Sequence, residues 1–177
     1  MKRSEIKFDD FKPEIFNLWG KQWMLLTSGE MEHDSFNTMT VGWGSIGIMW
    51  NKPFVQVVVR PTRYTREFME RYETFTLSAF SEDYKKELSY LGSVSGKDVN
   101  KIEKSGLKVE PSKLVKCPCF NEAELVIECK KIYSSRFTAN EFIDQSIKNN
   151  YPKEDYHLVY FGQVLCISGI EKYSKKQ

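Results

Sequence analysis

Asn37-Thr38-Met39-Thr40-Val41-Gly42-Trp43-Gly44-Ser45, then Ile46 to Val59, then Arg60-Pro61-Thr62-Arg63-Tyr64-Thr65, is the stretch on which the reading of this chain turns. Its first part has little side-chain bulk at Gly42 and Gly44, so the backbone there can approach a ligand closely. If it is a strand, Thr38 and Thr40 point one way and Met39 and Val41 the other. Its second part, Phe54-Val55-Gln56-Val57-Val58-Val59 after Pro53, reads as a β-branched strand. That strand empties into two arginines and two threonines. A flat ligand suits the first part and an anion the second.

Strand signals recur outward from here. Trp23-Met24-Leu25-Leu26-Thr27 is short and apolar, and Thr74 to Phe80 alternates strictly, with Phe75, Leu77 and Ala79 on one face. Glu122 to Cys129 alternates too, as does Leu158 to Ile170 with a break at Gly162. Helix signals are short and lie between strands. Tyr64, Phe68 and Tyr72 are spaced by four, and Ser81 is placed to cap a helix carrying Tyr84, Leu88 and Leu91, stopped by Gly92. Ser95-Gly96-Lys97-Asp98 and Thr138-Ala139-Asn140-Glu141 have the spacing of capping boxes. The first predicts a helix burying Val99 and Ile102 and ending at Gly106. Residues 108–121, with Pro111 and Pro118, read as a long surface loop or excursion. Regular βαβ alternation is absent. The prediction is a mainly β chain with peripheral helices, folded as a mostly antiparallel barrel in a single domain over residues 1–177.

With 177 residues, 41% hydrophobic and 14% aromatic, the chain suits one folded domain with a sizeable core. A net charge of +2 and scattered lysine pairs (85–86, 130–131, 175–176) give no basic stripe, so no nucleic-acid partner is expected. No apolar run follows Met1-Lys2-Arg3, and no segment reaches the roughly 18 apolar residues of a membrane span. The expectation is a cytoplasmic protein with no membrane partner. Cys117, Cys119, Cys129 and Cys166 are too few for a disulfide framework in a chain this long.

The chemistry candidates fall in five places. Arg60, Thr62, Arg63 and Thr65 sit where a strand feeds a helix start, and Arg forks, hydroxyls and free N–H groups all suit a phosphate. Taken alone, this is also what an ordinary cap with solvated arginines looks like. Ser95-Gly96-Lys97 at a helix start lacks the upstream glycine of a phosphate loop. By itself it is a capped helix, and Lys97 fits as a second group closing over a phosphate held elsewhere. Asn37 to Ser45 can read a ring edge through its backbone, with Trp43 either flanking a ring or packing in the core. His157, one of two histidines, opens a strand at a barrel mouth, whereas His33 lies in a polar turn. Cys117-Pro118-Cys119 lacks the second pair that a zinc site needs and the spacing of a thioredoxin-type pair. No metal site is expected. A planar ring at one end and a phosphate at the other describe flavin mononucleotide (FMN). Without an obvious acid–base set, a cofactor would carry the chemistry.

Taken in order, Met39-Thr40 with the small residues after it, Trp50-Asn51-Lys52-Pro53, Arg60 to Thr65, Phe75-Thr76-Leu77-Ser78, Ser95 to Val99, Tyr151-Pro152-Lys153 and Asp155-Tyr156-His157 with Gly162 and Val164 resemble the flavin reductase-like family with the FMN-binding split barrel, flavoredoxin-like branch. The likeness runs roughly from Trp23 to Val164. It implies a six-stranded antiparallel split β-barrel, usually a homodimer with the flavin at or near the interface. Asn37, Thr38, Met39, Thr40, Trp43 and Ser45 would line the ring and ribityl chain. Arg60, Thr62, Arg63, Tyr64 and Thr65 would hold the phosphate end, with Ser95, Gly96 and Lys97 closing over it. His157 resembles a family histidine near flavin and nicotinamide, although here Tyr156 separates it from Asp155. The implied activity passes hydride from NADH or NADPH to flavin and on to an acceptor. The alternatives are an electron-transfer protein served by a protein partner and a non-catalytic FMN-binding dimer.

Overall fold

The computed structural model describes residues 2–175. Met1, which the leader reading touches, and Lys176, which belongs to the last lysine pair, lie outside them. The strands are β1 (Ser4–Glu5), β2 (Met24–Glu30), β3 (Ser35–Val41), β4 (Gly44–Met49), β5 (Lys52–Val59), β6 (Thr74–Ala79), β7 (Val109–Glu110), β8 (Cys119–Phe120), β9 (Leu125–Arg136) and β10 (Leu158–Gly169). The α-helices are α1 (Ile15–Asn17), α2 (Thr65–Arg71), α3 (Lys85–Ser93) and α4 (Lys101–Ser105).

One antiparallel sheet runs in the order β3-β2-β6-β9-β10-β5-β4, with β1 also on β10 and a separate β7-β8 ribbon. The two strands at the ends of that path, β3 and β4, follow one another in the chain with only Gly42 and Trp43 between them. Val41 and Gly44 are three Cα steps apart, at most about 11 Å. The sheet must therefore curl until its edges nearly meet at that end. This is a barrel closed by covalent connection and split along the β3/β4 seam. The expected antiparallel split barrel is here built on an eight-stranded sheet, seven strands on that path and β1 beside β10, and the Asn37–Ser45 stretch runs from the end of β3 through the crossover into β4. Gly44 lets the seam close: a Cβ there would lie 2.4 Å from the Gln56 carbonyl oxygen and 2.4 Å from the Trp19 ring. The β4–β5 hairpin turns through Trp50 and Asn51, at φ 52° and 57°. Two positive φ values are what a two-residue type I′ turn requires.

The barrel interior holds Met24, Leu26, Met39, Val41, Val55, Val57, Val59, Phe75, Leu77, Leu125, Ile127 and Val164, all buried. A second cluster lies outside the wall, where Leu25 and Val126 meet Leu88 and Leu91 of α3, with Leu107 and Phe120. Strand β2 reads apolar at consecutive positions because both its faces are covered.

The 108–121 segment is not a surface loop. Cys117, Cys119 and Phe120 are buried. The carboxylate of buried Glu128, on the outer face of β9, accepts the backbone N–H groups of Lys113, Leu114 and Val115 at 2.9, 2.7 and 3.2 Å. The Thr76 hydroxyl donates to the Pro118 carbonyl and the Cys117 thiol to that of Thr27. The helix after Ser95 is also displaced. Ser95 Oγ only accepts the Lys97 N–H in a turn, and α4 starts six residues on, capped by Asn100. Neither Ser81 nor Thr138 makes a side-chain cap.

Candidate functional site

The seam opens onto a cleft of about 570 Å³. Its walls are the end of β3 with the crossover (Met39 to Trp43), the inner face of α3 (Leu88, Ser89, Gly92, Ser93), the end of β5 with its turn (Val58, Arg60, Arg63), and His157, with Trp23 at one side. Among the described residues, strand β3 pairs only with β2. The outward backbone groups of its last residues therefore face the cleft without a strand partner.

Pairing positions the charged end. Leu158 stands opposite Val59, so His157 and Arg60 lie side by side where β10 and β5 leave the sheet. Arg60 is largely spoken for. Its guanidinium bonds Asp155 at 2.8 Å and the Asn150 carbonyl at 2.7 Å, and it lies 5.3 Å from the Tyr151 ring centre. The Arg60 bond holds the Asp155 carboxyl below the usual range. Arg63 is exposed and, among the described residues, its side chain makes one bond, to the Gly92 carbonyl at 2.7 Å. It is the freer cation of the two. The buried Lys101 ammonium bonds the Leu91 and Val94 carbonyls at 2.8 and 2.9 Å. Cations are favourable at such a helix C-terminus. Burial and the neighbouring Arg63 bring the Lys101 pKa down to about 8.

His157 is 7% exposed. Its Nδ1 lies 2.8 Å from the Tyr151 hydroxyl, and its ring centre is 5.3 Å from that of Trp43. Burial first, then the Arg60 and Arg63 charges, lower its pKa to about 4 against the pull of Asp155. At neutral pH the imidazole is uncharged.

Of the residues expected from sequence, this cleft brings together Met39, Thr40, Trp43, Arg60, Arg63 and His157. Trp43 is half exposed on the lip, not in the core. Asn37, Tyr64, Gly96 and Lys97 line a neighbouring groove, and the Arg63-Tyr64 turn borders both. There Asn37 donates to the Thr65 hydroxyl at 2.7 Å, and a Cβ on Gly96 would lie 2.2 Å from Asn37 Oδ1. Lys97 is 3.4 Å from Glu67. Five expected side chains line neither cavity, and one of them is buried Thr65, whose hydroxyl is taken by Asn37. Thr38 is buried against Thr27 and the Leu26 carbonyl, and Ser45 bonds Gln56. Thr62 is exposed in the turn, and the Ser95 hydroxyl is held within its own turn. Two residues that matter carried no assigned role: Tyr151, which holds His157, and Trp23, at φ 63° beside Gly42. Trp23 gave no signal, because backbone strain is not written in residue type.

The cysteines are all buried and unpaired. Burial pushes Cys117 up to about 12 and Cys119 up to about 11. Such thiols are poor nucleophiles at neutral pH. Among the described residues no group of His, Cys, Asp and Glu has the arrangement to hold a metal ion, and no helix is long and apolar enough to cross a membrane.

Residues 20–171 match the family model described as flavin reductase like domain. The chain belongs to that family. Solved structures of similar fold place this flavin reductase-like chain among split barrels. An FMN-binding domain of a flavin reductases-like enzyme from Shewanella baltica OS155 superposes with a TM-score of 0.67 at 16% identity, covering 95% of this chain and 77% of that one. Flavoredoxin of Desulfovibrio vulgaris (Miyazaki F) gives 0.65 at 21% identity, covering 97% and 78%. The NADH:FAD oxidoreductase of Streptomyces globisporus C-1027, in complex with NAD and FAD fragments, gives 0.62 at 14% identity, covering 82% and 73%. The family resemblance and the split-barrel architecture read from the sequence both hold.

Proposed function

We propose that the cleft is an FMN site and that this flavin reductase-like chain is an oxidoreductase taking hydride from NADH or NADPH and delivering electrons to an acceptor. The observation that carries the reading is the composition of one cleft: a free strand edge at Met39 to Gly42, an underused cation at Arg63, and an uncharged His157. The donor set fits the cofactor. A flavin ring presents carbonyls and an N–H along one edge, which backbone groups of β3 and the crossover can read. The phosphate end would go to Arg63 with Arg60, Thr62, Tyr64 and Thr65, and Asn37, Ser95, Gly96 and Lys97 would border it. Thr38, Thr40 and Ser45 would contribute through their backbone. Bound FMN would supply the redox chemistry itself. The chain's part is to orient the ring, exclude water on the α3 side and present His157 to the ligand as a hydrogen-bonding group, not a base.

A second reading, an electron carrier served by a protein partner, is favoured by Trp43, 51% exposed on the cleft lip where a partner would reach the ring. A homodimer is proposed through the aromatic face of β4, β9 and β10. There Trp50, in the β4–β5 turn, is 56% and Tyr133 50% exposed around Phe161. Contiguous exposed apolar surface of this kind marks contact sites. In sedimentation, Tyr133→Glu should convert the dimer to monomer, and a wild-type monomer at all concentrations removes the dimer.

The test is the visible spectrum of FMN-loaded protein under anaerobic conditions on adding NADH, then NADPH. Loss of the flavin band with either supports the reductase. A flavin that stays oxidised with both but yields to dithionite supports the carrier. Failure to bind FMN removes the site.

A further inference from the structure

We propose that Tyr151 is a positioning residue that holds the His157 imidazole as its Nε2–H tautomer, so that the histidine offers the cleft a hydrogen-bond donor. The argument begins with the phenol. Tyr151 is 5% exposed, and the His157 Nδ1 at 2.8 Å is the one hydrogen-bond partner its hydroxyl has among the described residues. Either the phenol donates to an unprotonated Nδ1, or a protonated Nδ1 donates to the phenol. The second arrangement leaves a buried O–H with no acceptor, a cost of about 1–3 kcal/mol. The first satisfies the O–H and leaves only a spare lone pair on oxygen. Nε2 then carries the ring proton. Among the described residues it has no hydrogen-bond partner, and it is not sealed from solvent, so it opens on the cleft that His157 lines.

The surroundings hold this arrangement. Arg60 lies over the Tyr151 ring and bonds Asn150 and Asp155 on either side of it in sequence, so the segment carrying Tyr151 is tied to the strand beside His157. The phenol also packs between Phe142 and Tyr156, at ring distances of 5.9 and 5.0 Å. The charges that face the imidazole are Arg60, Arg63 and Asp155. Two cations against one carboxylate disfavour the doubly protonated ring, so the proton count at His157 stays at one. Burial also raises the Tyr151 pKa, which keeps its O–H in place. The ligand atom opposite Nε2 must then be an acceptor. In the flavin reading, on which only this last step rests, that atom is a ring or amide carbonyl.

The experiment is a long-range 1H–15N correlation spectrum of the uniformly 15N-labelled full chain, without flavin, near neutral pH. The chain holds only His33 and His157, so assignment needs a single His33→Gln control. The expected result is an unprotonated Nδ1 and a protonated Nε2 at His157, with the tautomer ratio falling about tenfold toward Nδ1–H in Tyr151→Phe. A protonated Nδ1 in the wild type overturns the proposal, as does a ratio unchanged by Tyr151→Phe. The wild-type spectrum decides by itself should the variant fail to fold. FMN binding is measured separately by absorbance. Loss of FMN binding with the tautomer as stated would remove the flavin reading and leave Tyr151 in its role. The converse result would do the reverse.

Discussion

Acid should destabilise this protein through His157 before its carboxylates titrate. The unfolded chain binds a proton at His157 with the usual value of 6.5, whereas in the fold that value is about 4. A lowered folded-state value means the unfolded chain takes the proton first as pH falls. Stability is thus complete above 6.5, declines between 6.5 and 4, and levels off below 4. At about 1.4 kcal/mol per tenfold change in proton affinity, the full loss approaches about 3 kcal/mol, of which about 2 kcal/mol is gone by pH 5. Against a typical stability of about 5–15 kcal/mol, that is a large fraction. Asp155, held low by Arg60, adds its own loss only further into acid. The assay is urea unfolding of wild type and His157→Asn at steps from about pH 8 to about pH 5, comparing slopes against pH. Asn keeps an acceptor for Tyr151 but does not titrate. The wild type should lose about 2 kcal/mol more than the variant over that range. Parallel slopes would refute the claim that this histidine is buried among cations in its neutral form.

Three further outcomes are expected. Gly96→Ala drives a Cβ into Asn37, which is buried and tied to Thr65, and should cost about 1–3 kcal/mol in urea unfolding; trimming Asn37 to Ser in the same chain should recover part of it, and a neutral Gly96→Ala would show the contact to be soft. Arg63→Ala should weaken FMN about ten- to a hundredfold while changing unfolding by no more than about 1 kcal/mol, because its single bond is at the surface; an unchanged FMN affinity would remove Arg63 from the phosphate end. Glu128→Ala strands three amide donors and should cost about 3 kcal/mol or more. It should also speed trypsin cleavage at Lys113 and Lys116, and equal cleavage rates would count against the carboxylate as the anchor of that segment.

The sheet was legible where one face is buried and the other is not. Phe75, Leu77 and Ala79 alternate in sequence and all point into the barrel, as do Leu125 and Ile127. Legibility failed where a polar residue is buried with its partners. Glu128 occupies an alternate position that reads as solvent-facing, and the prolines and lysines of residues 108–121 read as loop. Only the three amides that converge on the carboxylate, from a segment about 14 residues away, reveal that it is packed. The Ser95 capping pattern failed for a related reason. Lys101 reaches back to the carbonyls at the end of α3, so the residues between are spent on the crossing and α4 starts only afterwards. At the site, the residue types of Arg63 and His157 were readable, but not which cation is free. That depends on Asp155 and Asn150, which reach Arg60 across about 90 residues of chain.

The closure of the barrel and the making of the cleft are one structural event. The residues facing each other across the cleft come from β3, at one end of the sheet order, and from β5 and β10, next to the other end. Flat, the sheet would hold them several strands apart, at about 4.8 Å per strand. They meet because Gly42 and Trp43 are too short a link to let the edges separate. The same link carries the exposed tryptophan beside His157. A side chain at Gly44 would therefore do more than weaken packing. With the Gln56 carbonyl and the Trp19 ring both 2.4 Å from its Cβ, it must push β4 off its register or the link off Trp19. Either movement shifts Trp43 and opens the seam, so stability and ligand affinity should fall together at this position. At Arg63, on the rim, affinity should fall with stability left almost untouched.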